Sequence, residues 1–99
     1  MAKTGGTQAV TPAVRFRVYG KVQGVGFRAH ARRIALSRQL DGWAINDSDG
    51  SVDILLLGNN ANIIEAEALI LKGPEFAKVE RVERLDAPAE QPPAGFTIA

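Results

Sequence analysis

An α+β sandwich, two helices laid on one face of an antiparallel sheet, is the fold class the sequence predicts, and three observations predict it. Strand-like and helix-like stretches succeed one another in the order β-α-β-β-α-β, followed by a short closing strand. The second and third strands are joined by a turn too short to hold a crossover helix, so they pair as an antiparallel hairpin. At 99 residues, 45% hydrophobic and 23% charged, the chain has the size and composition of one folded domain with a single core.

Met1 to Ala13 is small and polar, with Gly5-Gly6 and Pro12 but no apolar period, and reads as a flexible tail without chemistry. The domain is expected over residues 14–99. From Val14 to Gly20 the pattern alternates, Val14, Phe16 and Val18 against Arg15, Arg17 and Tyr19, which predicts a strand with one wet face. Lys21 to Gly26 is a glycine-bearing loop. Phe27, Ala31, Ile34 and Ala35 then fall at helical spacing and predict a helix to about Arg38.

Asp41–Ile45 predicts the second strand, with Trp43 on its core face, and Asn46-Asp47-Ser48-Asp49-Gly50 is dense in turn formers. Val52–Leu57 is its partner. Leu55 and Leu57 point opposite to Val52, Ile54 and Leu56, and a one-sided sheet gives no reason for them. Gly58-Asn59-Asn60 offers an N-cap for a helix over Ala61–Lys72, which Gly73-Pro74 ends. Its apolar residues cover more than one stripe, so part of the helix is expected to be wet or to meet a partner. Val79–Leu85 repeats its apolar residues every third position, and its place after Gly-Pro predicts a strand with an irregular or bulged middle. Asp86–Gly95 is a proline-bearing loop and Phe96–Ile98 the closing strand. This order is the ferredoxin-like split βαβ pattern, which by itself names no function.

Composition excludes several classes of site. Without cysteine there is no disulfide framework or thiolate metal centre, and a single histidine does not make an ordinary zinc site. Asp47-Ser48-Asp49-Gly50 hints at calcium but lacks the closing glutamate of a binding loop. No metal and no cofactor are expected. No apolar run approaches the roughly 20 residues of a membrane helix, and the N-terminus has no apolar signal core, so the expected location is cytoplasmic.

The net charge of +1 conceals a segregation. Residues 1–40 carry eight basic side chains and no acid, whereas 41–99 carry four basic against eleven acidic, giving halves of +8 and −7. Either folding interleaves the two sets, or the first half handles an anion.

The segment Lys21-Val22-Gln23-Gly24-Val25-Gly26-Phe27-Arg28 joins a strand to a helix start, where free main-chain N–H groups and the positive end of the helix dipole favour an anion. Arg28 adds a planar fork of donors suited to phosphate oxygens. A cation in a helix's first turn is normally disfavoured by about 0.3–1 kcal/mol, which implies that something negative sits beside it. Gly24-Val25-Gly26-Phe27-Arg28-Ala29 also satisfies a dinucleotide-binding pattern, but the hairpin and the short chain exclude the parallel sheet that such a site needs. Read alone, Asn46 is an ordinary turn residue. His30 lies roughly 200° around the helix from Arg28 and is expected at the solvated surface, with Arg32, Arg33 and Arg38 forming a wet basic face.

Gly20-x-Val22-Gln23-Gly24-Val25-Gly26-Phe27-Arg28, together with Gly42-Trp43-Ala44-Ile45-Asn46, resembles the two signature segments of the acylphosphatase family, and Gly73-Pro74 and Gly95-Phe96 resemble its later landmarks. The resemblance spans about Val14 to Ile98. It implies an enzyme that hydrolyses the carboxyl–phosphate bond of a small-molecule acyl phosphate to a carboxylate and inorganic phosphate. Arg28 and the amides of Gln23, Gly24, Val25, Gly26 and Phe27 would hold the phosphate, and Asn46 would orient the attacking water. A monomer inhibited by phosphate, with no nucleic-acid or membrane partner, is expected. The alternative is a non-catalytic module of the same βαββαβ order that binds nucleic acid or an anion, suggested by the basic first half and weakened by the scarcity of sheet-face aromatics, Tyr19 being the evident one.

Overall fold

The computed structural model describes residues 11–99. The expectation of a tail therefore falls almost wholly outside the described residues, and the first strand begins one residue earlier than the pattern indicated. In chain order the elements are β1 (Ala13–Lys21), α1 (Phe27–Ser37), β2 (Asp41–Asn46), β3 (Val52–Leu57), α2 (Asn60–Lys72), β4 (Lys78–Leu85) and β5 (Phe96–Ile98). They form the ferredoxin-like α/β sandwich. The five strands are ordered β4-β1-β3-β2-β5, antiparallel except where β5 runs parallel to β2.

The core lies between the helices and one face of the sheet. Phe16 and Val18 of β1, Val52, Ile54 and Leu56 of β3 and Ala44 of β2 meet Phe27, Ala31 and Ala35 of α1 and Ile63, Ala66 and Ile70 of α2. Burying a side chain such as Phe16 or Ile54 completely contributes about 1.5–3 kcal/mol, so this set dominates stability. Asn59 caps α2, its Oδ1 accepting from the N–H groups of Ala61 and Asn62 at 2.9 and 3.2 Å. The broad apolar surface of α2 is divided by the packing: Ile63, Ala66 and Ile70 are buried, whereas Ile64 is 65% exposed.

The bulge expected in β4 is present, nearer the strand's start than its middle. Tyr19 pairs with Arg81 while Gly20 pairs with Val79, so Glu80 is the extra residue. Gly20 has φ 130°, and a Cβ there would strike the Lys78 carbonyl, which is why the bulge faces a glycine.

The face away from the helices explains Leu55. It is flanked by Arg15 of β1 and Trp43 of β2 and is fully buried. Both flanking side chains reach the same buried carboxylate. Arg15 Nε donates to Asp53 Oδ1 at 3.1 Å and its NH2 to Oδ2 at 2.7 Å, while Trp43 Nε1 donates to Oδ1 at 3.1 Å. Burial pushes the Asp53 carboxyl up, but the bonds from Arg15 and Trp43 and the charges of Arg15 and Arg17 outweigh it and hold the carboxyl below its usual range. Trp43 thus corrects the sequence expectation. It is a packing residue on the open face, because Gly42 and Ala44 take the core-facing positions of β2.

Candidate active site

The loop between β1 and α1 is shaped by two glycines in left-handed conformation, Gly24 with φ 76° and Gly26 with φ 79°. Gly26 is the N-cap of α1 and so offers no side chain to accept from the first-turn amides, and no acidic residue stands in that turn. Those N–H groups stay available to an anion.

Beside them is a cavity of about 190 Å³ lined by Val22, Gln23, Gly24, Gly26, Phe27, Arg28 and Ala29, together with Asn46 and Ile98. The hairpin places Asn46 at the last position of β2, paired with Val52, rather than within the turn. Arg28 and Asn46 converge on one atom. Arg28 NH1 donates to the Ala99 oxygen at 2.9 Å, and the Asn46 N–H donates to the same oxygen at 2.9 Å. Among the described residues no Asp or Glu side chain pairs with Arg28, whose NH1 meets the oxygen of Ala99. Asn46 Oδ1 is buried without a hydrogen-bond donor, an uncommon cost for a folded chain and a sign that a donor belongs there.

Of the residues singled out from sequence, Gln23, Gly24, Gly26, Phe27, Arg28 and Asn46 line this cavity, and Val25 does not. Val25 instead packs against the core. The Phe27 ring is likewise a core group, 1% exposed, so these two residues can meet an anion through their main chain. The Gln23 amide turns to the neighbouring turn, Nε2 donating to the main-chain oxygens of Asp47 and Ser51 at 2.8 and 2.9 Å. Among the described residues no group of three or more His, Asp or Glu gathers in a metal-binding arrangement, and no helix is long and apolar enough to cross a membrane.

Sequence reasoning missed the role of β5. Ile98 on the wall and the Ala99 oxygen beneath Arg28 arrive through parallel pairing with β2, a contact that no local pattern announces. It also misplaced His30, which is half-buried with Nε2 3.3 Å from the Leu69 oxygen of α2 and its ring 5.9 Å from that of Phe27. Burial lowers its pKa, and the nearby charge of Arg33 adds to this, against an opposing contribution from the Leu69 carbonyl.

The family model described as Acylphosphatase matches residues 14–98. The chain belongs to the acylphosphatase family. Among curated acylphosphatases it is 40% identical to that of Nitratidesulfovibrio vulgaris strain DP4, over 88% of this chain and 87% of the relative. To the acylphosphatase of Rhizobium etli it is 42% identical over 87% of this chain and 92% of the relative. The crystal structure of acylphosphatase from Bacillus subtilis is similar with a TM-score of 0.81 and 32% identity, over 88% of this chain and 97% of that one. As an acylphosphatase the chain is a hydrolase, acting on the carboxyl–phosphate bond of small-molecule acyl phosphates.

Proposed function

We propose that the phosphoryl group is held by the main-chain amides of the Gln23–Phe27 loop and by the Arg28 guanidinium, and that Asn46 orients the attacking water. The observation that carries this reading is the convergence of Arg28, without an Asp or Glu partner among the described residues, and Asn46, with its unused acceptor, on one cavity. Water attacks phosphorus, and the bond from phosphorus to the acyl oxygen breaks with its electron pair leaving on the carboxylate. The proton of the water passes to a phosphoryl oxygen. A carboxylate is a good leaving group, so no strong general acid is required, and placement and charge balance carry the catalysis. No step runs through a metal or cofactor.

Hydrolysis of benzoyl phosphate by the wild type, Arg28→Ala and Asn46→Ala tests the assignment. Each substitution is expected to lower kcat by about 10²–10³, the usual cost of a lost oriented donor. Wild-type kcat/KM in both variants would overturn it. Inorganic phosphate, as product, is expected to inhibit competitively.

The domain is taken to cover residues 14–99 as the sequence indicates, with Ala13 added because it begins β1, and the family match over 14–98 supports that range. A monomer is expected, and light scattering at twice the chain mass would refute it. A cytoplasmic location suits a charged, hydrolytically labile substrate that does not cross membranes, and cell fractionation checks it. The nucleic-acid alternative is not favoured. Tyr19, its aromatic candidate, donates to Glu83 at 3.0 Å and lies beneath the Arg81 guanidinium at 3.8 Å, while the arginines beside it face carboxylates.

A further inference from the structure

The side chain of Gln23 is committed elsewhere than to the anion. The two N–H groups of its amide match the two carbonyl oxygens within reach, those of Asp47 and Ser51, and leave no donor for a phosphoryl oxygen. They tie the anion loop to the turn that follows Asn46, across 24 and 28 residues of chain. Within that turn the Asp47 N–H donates to the Ser51 oxygen at 2.9 Å and the Gly50 N–H to the Asp47 oxygen at 3.1 Å. From the open face of the sheet, Arg17 Nε lies 2.9 Å from Asp47 Oδ2 but is misaligned for a hydrogen bond, so it holds the carboxylate by charge and not by direction.

Asn46 has no anchor at its own Oδ1. Its aim therefore depends on its main chain, held by its pairing with Val52 of β3, by the Ala99 oxygen and by Asp47, whose carbonyl Gln23 grips. We propose that Gln23 is a positioning residue that holds Asn46 in register with the phosphoryl site. This rests on the reading that Asn46 orients the water. Without the brace, the turn and the loop move relative to one another, and the water is misplaced while every donor to the phosphoryl group remains.

Steady-state hydrolysis of benzoyl phosphate by the full chain tests this in the wild type, Gln23→Met, Asn46→Ala and the double variant. A misplacement of about 1 Å costs up to roughly 10²-fold in rate, so Gln23→Met is expected to lower kcat about 10- to 100-fold. The inhibition constant of inorganic phosphate should stay within about twofold, since its donors are intact. In the Asn46→Ala background the same substitution should change kcat by less than about twofold, because the residue it acts through is already gone. Unchanged kcat in Gln23→Met, a parallel loss of phosphate affinity, or multiplicative effects in the double variant would each overturn the proposal. If Gln23→Met does not fold, Gln23→Ala, which removes the donor without adding charge beside the anion, is read by the same criteria. A wild type inert toward benzoyl phosphate strikes the functional reading and this proposal with it; an active wild type with an indifferent Gln23 variant strikes this proposal alone.

Discussion

The arginines of β1 and the arginine of the anion loop come from the same acid-free stretch of sequence and end in opposite electrostatic situations. Arg15 is forked onto Asp53, and Arg17 stands 2.9 Å from Asp47 and 3.9 Å from Asp53. Arg28, one short loop later, has no Asp or Glu partner among the described residues and meets the Ala99 oxygen. The difference teaches that a basic half-sequence is not a basic surface. Strand pairing carries acids from the second half beneath Arg15 and Arg17, and their charges serve the fold, whereas the helix start has no Asp or Glu in its first turn beside Arg28.

Replacing Arg28 by lysine keeps the charge and removes the fork, which makes it the hardest test of that contrast. Phosphate inhibition is expected to weaken on the order of 10²-fold, because a point charge does not reproduce a planar array of donors. An inhibition constant equal to that of the wild type would show that charge alone suffices and that the two kinds of arginine differ less than the geometry indicates.

The opposite arm of the contrast is structural. Asp53→Ala leaves the Arg15 fork and the Trp43 N–H without their acceptor, and urea denaturation should show a loss of about 2–3 kcal/mol. That is less than the roughly 3–5 of a fully buried pair, because Arg15 can turn toward water. The pH dependence has a definite sign. A carboxyl held below its usual range contributes stability present above about pH 4, the ordinary value, and lost as pH falls through the folded-state value. The acid limb of the stability curve should therefore be shallower in the variant.

The smallest expected effect concerns His30, whose shift comes chiefly from burial. Its lowered pKa means that the folded chain binds fewer protons than the unfolded chain once pH drops below about 6.5, so stability declines with acidification there. His30→Gln should flatten the wild-type slope in that window, read from midpoints of thermal unfolding. A slope unchanged by the substitution would place the proton uptake elsewhere.

The loop and Arg28 were legible in sequence because each depends on neighbours within a few residues: glycines that permit left-handed turns, then a cation where a helix begins. Asn46 was legible only as half of a pair of signature segments, since a turn asparagine and an oriented side chain look alike until β2 is extended one residue to include it. Trp43 and His30 were misplaced for a common reason. Alternation and helical period state which residues share a face, but not which face is covered, and packing made that choice. Leu55 shows the same limit, being explained only by the cross-strand flanks of Arg15 and Trp43.

Sequence alone determined the element order, the antiparallel hairpin, an irregularity in β4 and the glycine-bearing bend before α1, because turn geometry and periodicity act over short separations. Tertiary structure alone decided that the Ala99 oxygen lies under Arg28, that Gln23 braces the turn beyond Asn46, and that Asp53 neutralises β1. Those facts join residues 24 to 71 positions apart. Only the closing of the sheet brings such groups within hydrogen-bonding distance, and no local preference of the chain encodes that closure.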